Sequence, residues 1–227
     1  MKSLRHPPVL TAALAGVFLF FVNLSAATAP QAASPAVAPE AALARLTEGN
    51  QRFVAGALTH PGQDVDRRQE TAQGQHPFAI VLTCADSRLA PEILFDQGLG
   101  DLFVVRNAGN LADDHVLGSL EYAVEHLHAS LIVVLGHTKC GAISAAVAGG
   151  EAPGHIKSIV EDLADAVSMA KKKPGDPVDH AVRINAKLTA AGIGASAPIL
   201  AEAVKAGHVQ VVAARYDLAT GTVEFLQ

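Results

Sequence analysis

Residues 78–88 read FAIVLTCADSR, an apolar run that ends in a cluster of a cysteine, an acid and a base. The arrangement recurs twice: LFVV at 102–105 precedes RNAGN at 106–110, and LIVVL at 131–135 precedes, after one glycine, HTKCG at 137–141. Short, continuously apolar runs are typical of strands buried on both faces of a parallel sheet. Because α/β sheets bind ligands outside the carboxyl ends of their strands, the three polar clusters predict a single site there.

The segments between these runs have helical spacing, and a fourth apolar run, VQVVA, follows at 209–213. The predicted helices are 39–56, 115–128, 141–148, 156–172 and 182–206, with a loop or break at 192–197. Residues 209–216 and 222–226, joined by DLATG, predict a terminal hairpin. The alternation predicts an α/β fold: a mostly parallel central sheet of four strands plus a C-terminal antiparallel edge strand, flanked by helices, with an N-terminal helical arm.

Residues 1–29 have the order of a secretory signal peptide. Lys2 and Arg5 precede an apolar run over 9–24, and the small-residue string SAATA follows at 25–29. An uncleaved anchor is the alternative, although the run is short for a bilayer span, which needs about 20 apolar residues. Residues 30–39 are rich in alanine and proline and predict a linker, so that 40–227 form the one domain. We expect a periplasmic or secreted protein without stable membrane insertion after cleavage, beginning between Ala27 and Pro30.

Composition excludes several classes of protein. The chain has 227 residues, enough for one domain with a sizeable core. Its net charge is −5 and no basic block stands out, so we expect no nucleic-acid partner. Its two cysteines are too few for a scaffold built on several disulfides.

The candidate metal ligands are Cys84, His137 and Cys140. Two thiolates and one imidazole suit zinc, and three protein ligands with an open fourth position are typical of a catalytic zinc site. The helix expected from Gly141 would point its positive end at the thiolates and help to keep them ionised. The alternatives are a Cys84–Cys140 disulfide, two inert buried thiols, and a structural zinc, which would usually need a fourth cysteine or histidine.

Asp86 and Arg88 extend the same cluster. An aspartate two residues after a zinc thiolate can reach the open position of the metal, and Arg88 can keep it ionised through a bidentate pair. The alternative is a surface ion pair, which would contribute little to stability.

CADSR at 84–88 together with GHTKCG at 136–141 resembles the paired signature of β-class carbonic anhydrases, and RNAGN at 106–110 and EYAV at 121–124 resemble further segments of that family. The resemblance implies zinc-dependent, reversible hydration of carbon dioxide to bicarbonate and a proton, by attack of zinc-bound hydroxide. It implies one zinc ion per subunit and a homodimer or dimer of dimers. The implied site residues are the zinc ligands Cys84, His137 and Cys140, the catalytic dyad Asp86 and Arg88, and the cleft residues Gln75, Phe103 and, from the partner subunit, Tyr122.

The resemblance leaves other functions open. Some family members hydrolyse carbonyl sulfide or carbon disulfide, and a non-catalytic zinc or thiol redox-sensing protein is an alternative from another class. Some members also have a closed state in which the equivalent of Asp86 binds zinc, and those that resemble this chain usually have a tryptophan three residues before the first zinc cysteine. Val81 occupies that position here and the chain has no tryptophan. We therefore expect the open arrangement, with Asp86 paired to Arg88.

Overall fold

The computed structural model of the chain describes residues 37–227. The predicted signal peptide and the linker up to residue 36 lie outside the described residues. Within 37–227, no helix combines the length and the hydropathy that crossing a bilayer requires.

Nine helices and five strands follow one another along the described part of the chain. In chain order they are α1 (Pro39–Val54), α2 (Val65–Thr71), β1 (Ala79–Cys84), α3 (Pro91–Leu94), β2 (Leu102–Asn107), α4 (Asp114–Glu125), β3 (Leu131–His137), α5 (Gly141–Ala148), α6 (Ile156–Asp162), α7 (Ala164–Ala170), α8 (Pro177–Gly194), α9 (Ile199–Lys205), β4 (Gln210–Tyr216) and β5 (Val223–Leu226).

The strands form one sheet in the order β2-β1-β3-β4-β5. The first three pairings are parallel and the last, between β4 and β5, is antiparallel. In register, Thr83 of β1 lies opposite Leu135 of β3, so these two central strands end at the same edge of the sheet. The predicted fold class is confirmed, including the antiparallel C-terminal strand.

Helices cover both faces of the sheet, as the continuously apolar strands require. On one face, Ala42 and Leu46 of α1 pack with Val81 and Val133. On the other face, residues of α4, α8 and α9 pack with alternate residues of the same strands, such as Ile80. A third cluster surrounds Cys84 and Cys140 and is built from α5 to α8.

The helix boundaries differ from the predicted ones in the second half of the chain. The predicted helix 156–172 is interrupted at Leu163, which ends α6 and precedes α7. The predicted helix 182–206 begins already at Pro177, where the Asp176 side chain accepts a hydrogen bond from the Val178 amide, and it stops at Gly194, within the predicted break. Helices α2 and α3 were not predicted, although an Asp64 cap and a proline at the first turn mark their starts.

Helix α1 packs on its own chain and approaches α3 at van der Waals distance. A Cβ atom on Gly49 would lie 1.7 Å from the carbonyl oxygen of Phe95, so only glycine fits there. The next residue, the buried Asn50, donates to the carbonyls of Leu94 (3.1 Å) and Gly221 (2.9 Å) and accepts from the Val223 amide (2.8 Å). Leu46, which is fully buried, therefore packs within its own chain.

The buried Asp96 holds the carboxyl end of α1 through Arg52. Asp96 is 3% exposed and pairs with Arg52 at 2.6 Å. It also accepts hydrogen bonds from the amides of Thr59 and His60 at 3.0 Å each. Burial raises the pKa of this carboxyl, but the ion pair and the hydrogen bonds outweigh that effect and hold its pKa well below the usual range.

Replacing Asp96 by asparagine is expected to lower the free energy of unfolding by about 2 kcal/mol at pH 7, because a charged hydrogen-bond acceptor is lost from a buried network. Since the folded-state pKa is depressed, the contribution of Asp96 is present above the unfolded pKa of about 3.9 and is lost as the pH falls below it. Urea unfolding should therefore show a gap between wild type and variant that narrows from pH 7 to pH 3. A gap that is constant or widens in acid would contradict this account. The exposed Asp66→Asn serves as the control and should change the unfolding free energy by less than about 0.5 kcal/mol.

Candidate metal centre

Two strand ends and one helix start place the donors of the site. Cys84 is the last residue of β1 and His137 is the last residue of β3, so the parallel pairing of these strands brings the two side chains to one edge. Cys140 follows in the turn that leads into α5 and occupies the N-cap position of that helix. The structure thus brings together the three ligands that the sequence predicts.

The donor atoms have the spacing that a zinc ion needs. The sulfur atoms of Cys84 and Cys140 lie 3.9 Å apart, and all three donor atoms, with that of His137, lie within 4.8 Å of one another. Two sulfur ligands at 2.3 Å in a tetrahedral site would be about 3.8 Å apart. All three residues are buried, and both cysteines are free thiols, so the disulfide alternative is not the state of this structure.

The imidazole of His137 has one nitrogen engaged and one free. Its Nδ1 lies 3.0 Å from the carbonyl oxygen of Thr138. Because a carbonyl can only accept, Nδ1 carries the proton and Nε2 presents a lone pair. Nε2 is buried and has no hydrogen-bond partner among residues 37–227. Buried polar atoms rarely remain unpartnered, and a lone pair aimed at two thiols fits a metal ion as the missing partner.

The pKa values of the two thiols differ because the buried sulfur atoms of Cys84 and Cys140 are hydrogen-bonded to each other. The hydrogen bond from Cys140 lowers the pKa of Cys84, burial opposes this, and the hydrogen bond from the Gly109 amide lowers the pKa further. That same bond, together with burial, raises the pKa of Cys140, which the amides of Ala142 and Ile143 at the start of α5 partly offset. Cys84 is thus the thiolate of the pair, and a bound metal would favour loss of the second proton as well.

Asp86 and Arg88 form the ion pair that the sequence predicts. The Nε and Nη2 atoms of Arg88 donate to Oδ1 (2.8 Å) and Oδ2 (2.7 Å) of Asp86, and the Arg88 amide donates to Oδ1 at 3.0 Å. The bond with Arg88 holds the pKa of Asp86 well below its usual range, so the carboxyl stays ionised. Oδ2 also lies 3.9 Å from Nε2 of His137. The carboxylate therefore lies beside the donor group of Cys84, His137 and Cys140.

The sequence marked RNAGN at 106–110 without giving its residues a role, and the structure supplies one. The guanidinium of Arg106 donates to the backbone oxygens of Cys84 (3.2 Å) and Asp86 (2.7 Å). It therefore fixes the turn that carries both a metal ligand and the carboxylate. A basic residue at the end of the neighbouring strand was the available signal, but its contacts are made to backbone atoms that no sequence pattern identifies.

The predicted cleft residues lie away from the donor group of their own chain. Gln75 precedes β1. Cys84 is the last residue of that strand, about 17 Å from its first residue. Phe103 pairs in register with Ile80, four residues before Cys84. The ring of Tyr122 lies 6.4 Å from that of Phe103. The two aromatic rings thus lie side by side in one chain. The roles of Gln75, Phe103 and Tyr122 in the cleft, with Tyr122 from the partner subunit, stay a prediction.

Comparison with known proteins agrees with this geometry. The family model described as carbonic anhydrase matches residues 79–223. Carbonic anhydrase 2 of Mycobacterium tuberculosis is 45% identical over 191 residues, which cover 82% of this chain and 92% of that protein. Among solved structures, the Coccomyxa β-carbonic anhydrase in complex with acetazolamide is 29% identical, with a TM-score of 0.64 over 81% of this chain and 86% of that one. A tetrameric β-carbonic anhydrase from Sordaria macrospora, 24% identical, shares the fold with a TM-score of 0.65 over 70% of this chain and 85% of that one. The chain therefore belongs to the β-class carbonic anhydrase family.

Proposed function

We propose that the protein catalyses the zinc-dependent, reversible hydration of carbon dioxide to bicarbonate and a proton, with one zinc ion per subunit. Cys84, His137 and Cys140 would hold the metal. The observation that carries the proposal is the buried Nε2 of His137, which has no hydrogen-bond partner in the described part of the chain and lies beside two thiols at the spacing of zinc ligands. A zinc ion supplies the acidity that turns a water molecule into a nucleophile near neutral pH.

Asp86 orients the nucleophile through one of its two oxygens. Oδ1 accepts two hydrogen bonds from Arg88, whereas Oδ2 accepts one. Oδ2 therefore keeps a lone pair and is the oxygen nearer His137. Because the carboxylate is ionised, it can only accept, so the O–H of the nucleophile points at Oδ2 and its own lone pair is left for carbon dioxide. Arg88 keeps the carboxylate in this role by holding both of its oxygens.

The direct test combines metal analysis with stopped-flow carbon dioxide hydration on the purified protein. We expect about one zinc per chain and a hydration rate that disappears with the metal and returns with it. Release of hydrogen sulfide from carbonyl sulfide or carbon disulfide at a higher kcat/KM than carbon dioxide hydration would assign the chain to the other activity. A folded protein that takes up no zinc would overturn the proposal and leave the thiol redox-sensing alternative.

Replacing Asp86 by asparagine is expected to lower kcat about 100-fold while zinc content stays at the wild-type level. The amide nitrogen of asparagine would donate where the carboxylate accepts, and the nucleophile would be turned away from its substrate. Stopped-flow kinetics and metal analysis of the same preparation measure both quantities. Asp165→Asn, an exposed acid on α7, is the matched control and should leave both unchanged. If the Asp86 variant keeps its kcat, the carboxylate does not orient the nucleophile.

We further propose that the chain functions as a homodimer or a dimer of dimers. Gln75, Phe103 and Tyr122 lie away from the donor group of their own chain, so their predicted role in the cleft requires a second subunit beside it. Multi-angle light scattering at micromolar concentration should give at least twice the mass of the mature chain. A fully active monomer would contradict both the assembly and the role of these three residues.

Export to the periplasm or the medium is a separate proposal, supported by the order of charged, apolar and small residues in 1–29. Cleavage between Ala27 and Pro30 would remove none of the residues in the described fold, which begins at Val37. Amino-terminal sequencing of protein from the cell envelope and medium should find this start. An intact Met1 in a cytosolic pool would contradict it.

A further inference from the structure

Asn185 is a buried amide in the middle of α8, in the layer that covers the sheet. It is 4% exposed. Its Nδ2 donates a hydrogen bond of 2.9 Å to the carbonyl oxygen of Gly109, 76 residues earlier in the chain. The other side chains that α8 buries are alanine, valine and isoleucine. Burying an amide among them costs free energy unless the amide is hydrogen-bonded, and Gly109 is its partner.

Gly109 lies between Asn185 and the metal centre. Its amide donates to the sulfur of Cys84 at 3.5 Å, and its carbonyl is the group that Asn185 holds. Its φ of +83° is a conformation that L side chains rarely adopt. The orientation of the amide at the sulfur thus depends on a residue with unusual backbone freedom.

Gly109 is the centre of the loop of residues 107–111, which the Asn107 side chain closes. The amide group of Asn107 donates to the Leu111 carbonyl and accepts from the Leu111 amide, each at 2.8 Å. These bonds fix the two ends of the loop and leave its centre, Gly109, to be held from outside. Within residues 37–227, two side chains hydrogen-bond this centre: Cys84, which accepts from the Gly109 amide, and Asn185, which donates to its carbonyl.

We propose that Asn185 is a positioning residue for the metal centre: by holding the Gly109 carbonyl, it aims the Gly109 amide at the Cys84 sulfur. The inference rests on the proposed zinc site. A hydrogen bond to a thiolate orients its lone pairs and stabilises its charge, so the donor is ready for the metal. Partners behind the ligands of a metal typically change its affinity 10–100-fold when they are removed, and Asn185 acts in this way through the backbone.

The test compares Asn185→Leu, which keeps the branched shape of the side chain but lacks the donor, with Ile193→Ala on the same helix. Ile193 is fully buried in a different cluster from the one that holds Cys84 and Cys140, so its truncation destabilises the fold without removing a hydrogen bond to Gly109. The zinc dissociation constant is measured by competition with a chromophoric chelator, and the cobalt-substituted proteins give the thiolate-to-metal absorption band. Melting temperatures of the metal-free proteins report stability, and Asn185→Ala replaces the leucine variant if that does not fold.

We expect the Asn185 variant to bind zinc about 10–100-fold more weakly and to shift the cobalt band, because one thiolate loses its hydrogen bond. Ile193→Ala should lower the melting temperature at least as much while leaving both readouts at the wild-type value. An Asn185 variant with wild-type affinity and spectrum, or an Ile193 variant that weakens zinc equally, would overturn the inference while the zinc site stands. A wild-type protein that binds no zinc would overturn the proposed function, and the inference with it.

Discussion

Replacing Cys140 by serine is expected to abolish zinc binding and carbon dioxide hydration together. Serine keeps the size of the side chain but has a hydroxyl that stays protonated, so the site loses one of its two thiolates. The remaining Cys84 and His137 are too few for a stable site, because catalytic zinc sites use three protein ligands. Metal analysis and stopped-flow hydration of the same preparation should both fall to background, with a loss in kcat/KM of at least about 1,000-fold because the metal no longer activates water.

The neighbouring residue gives the control for this experiment. Lys139 lies in the same turn and is exposed, and its backbone oxygen, not its side chain, lies 3.4 Å from Arg88. Lys139→Ala should therefore keep both the metal and the activity. A Cys140→Ser protein that retains one zinc per chain and wild-type turnover would show that the donors are other residues.

Replacing Gly49 by alanine is expected to destabilise the fold by about 3 kcal/mol or more, the largest effect on stability that the structure predicts. The added Cβ would lie 1.7 Å from the carbonyl oxygen of Phe95 and 2.6 Å from its carbonyl carbon. Both are backbone atoms, so no change of rotamer relieves the overlap, and α1 must move away from α3. That movement would also break the hydrogen bonds of Asn50. Urea unfolding measures the change.

A second glycine in a helix serves as the matched control. Gly118 lies on the exposed side of α4, and a Cβ there would meet nothing within 4 Å. Gly118→Ala should stabilise the protein by about 0.5–1 kcal/mol, because alanine has the higher helix propensity. If both variants behaved alike, the close approach of α1 to α3 would not exist in solution.

The fold and the donors could be predicted because their signals are local in the sequence. The strands are short apolar runs, and Cys84, His137 and Cys140 follow them directly, so the parallel order of the strands was enough to bring them together. The ion pair of Asp86 and Arg88 could be predicted for the same reason, because the two residues are only two positions apart in the sequence.

What the sequence could not predict depends on partners far apart in the chain. Nothing near Asp96 indicates that Arg52 and Thr59 will surround it, and nothing near Gly49 indicates the carbonyl of Phe95. The break at Leu163 was missed because the residues on either side have helical spacing. The placement of Phe103 beside Tyr122 follows from how α4 packs on β2, which is a tertiary contact.

The position of the metal ligands on two central strands also has a kinetic consequence. Cys84 and Cys140 are 56 residues apart in the chain, and their sulfur atoms meet only after β3 has paired with β1. Parallel pairing between distant segments is among the slower events of folding, because a long loop must close before any contact compensates for it. A refolding chain should therefore capture zinc at the rate of strand pairing, and the diffusion of the ion should not limit it.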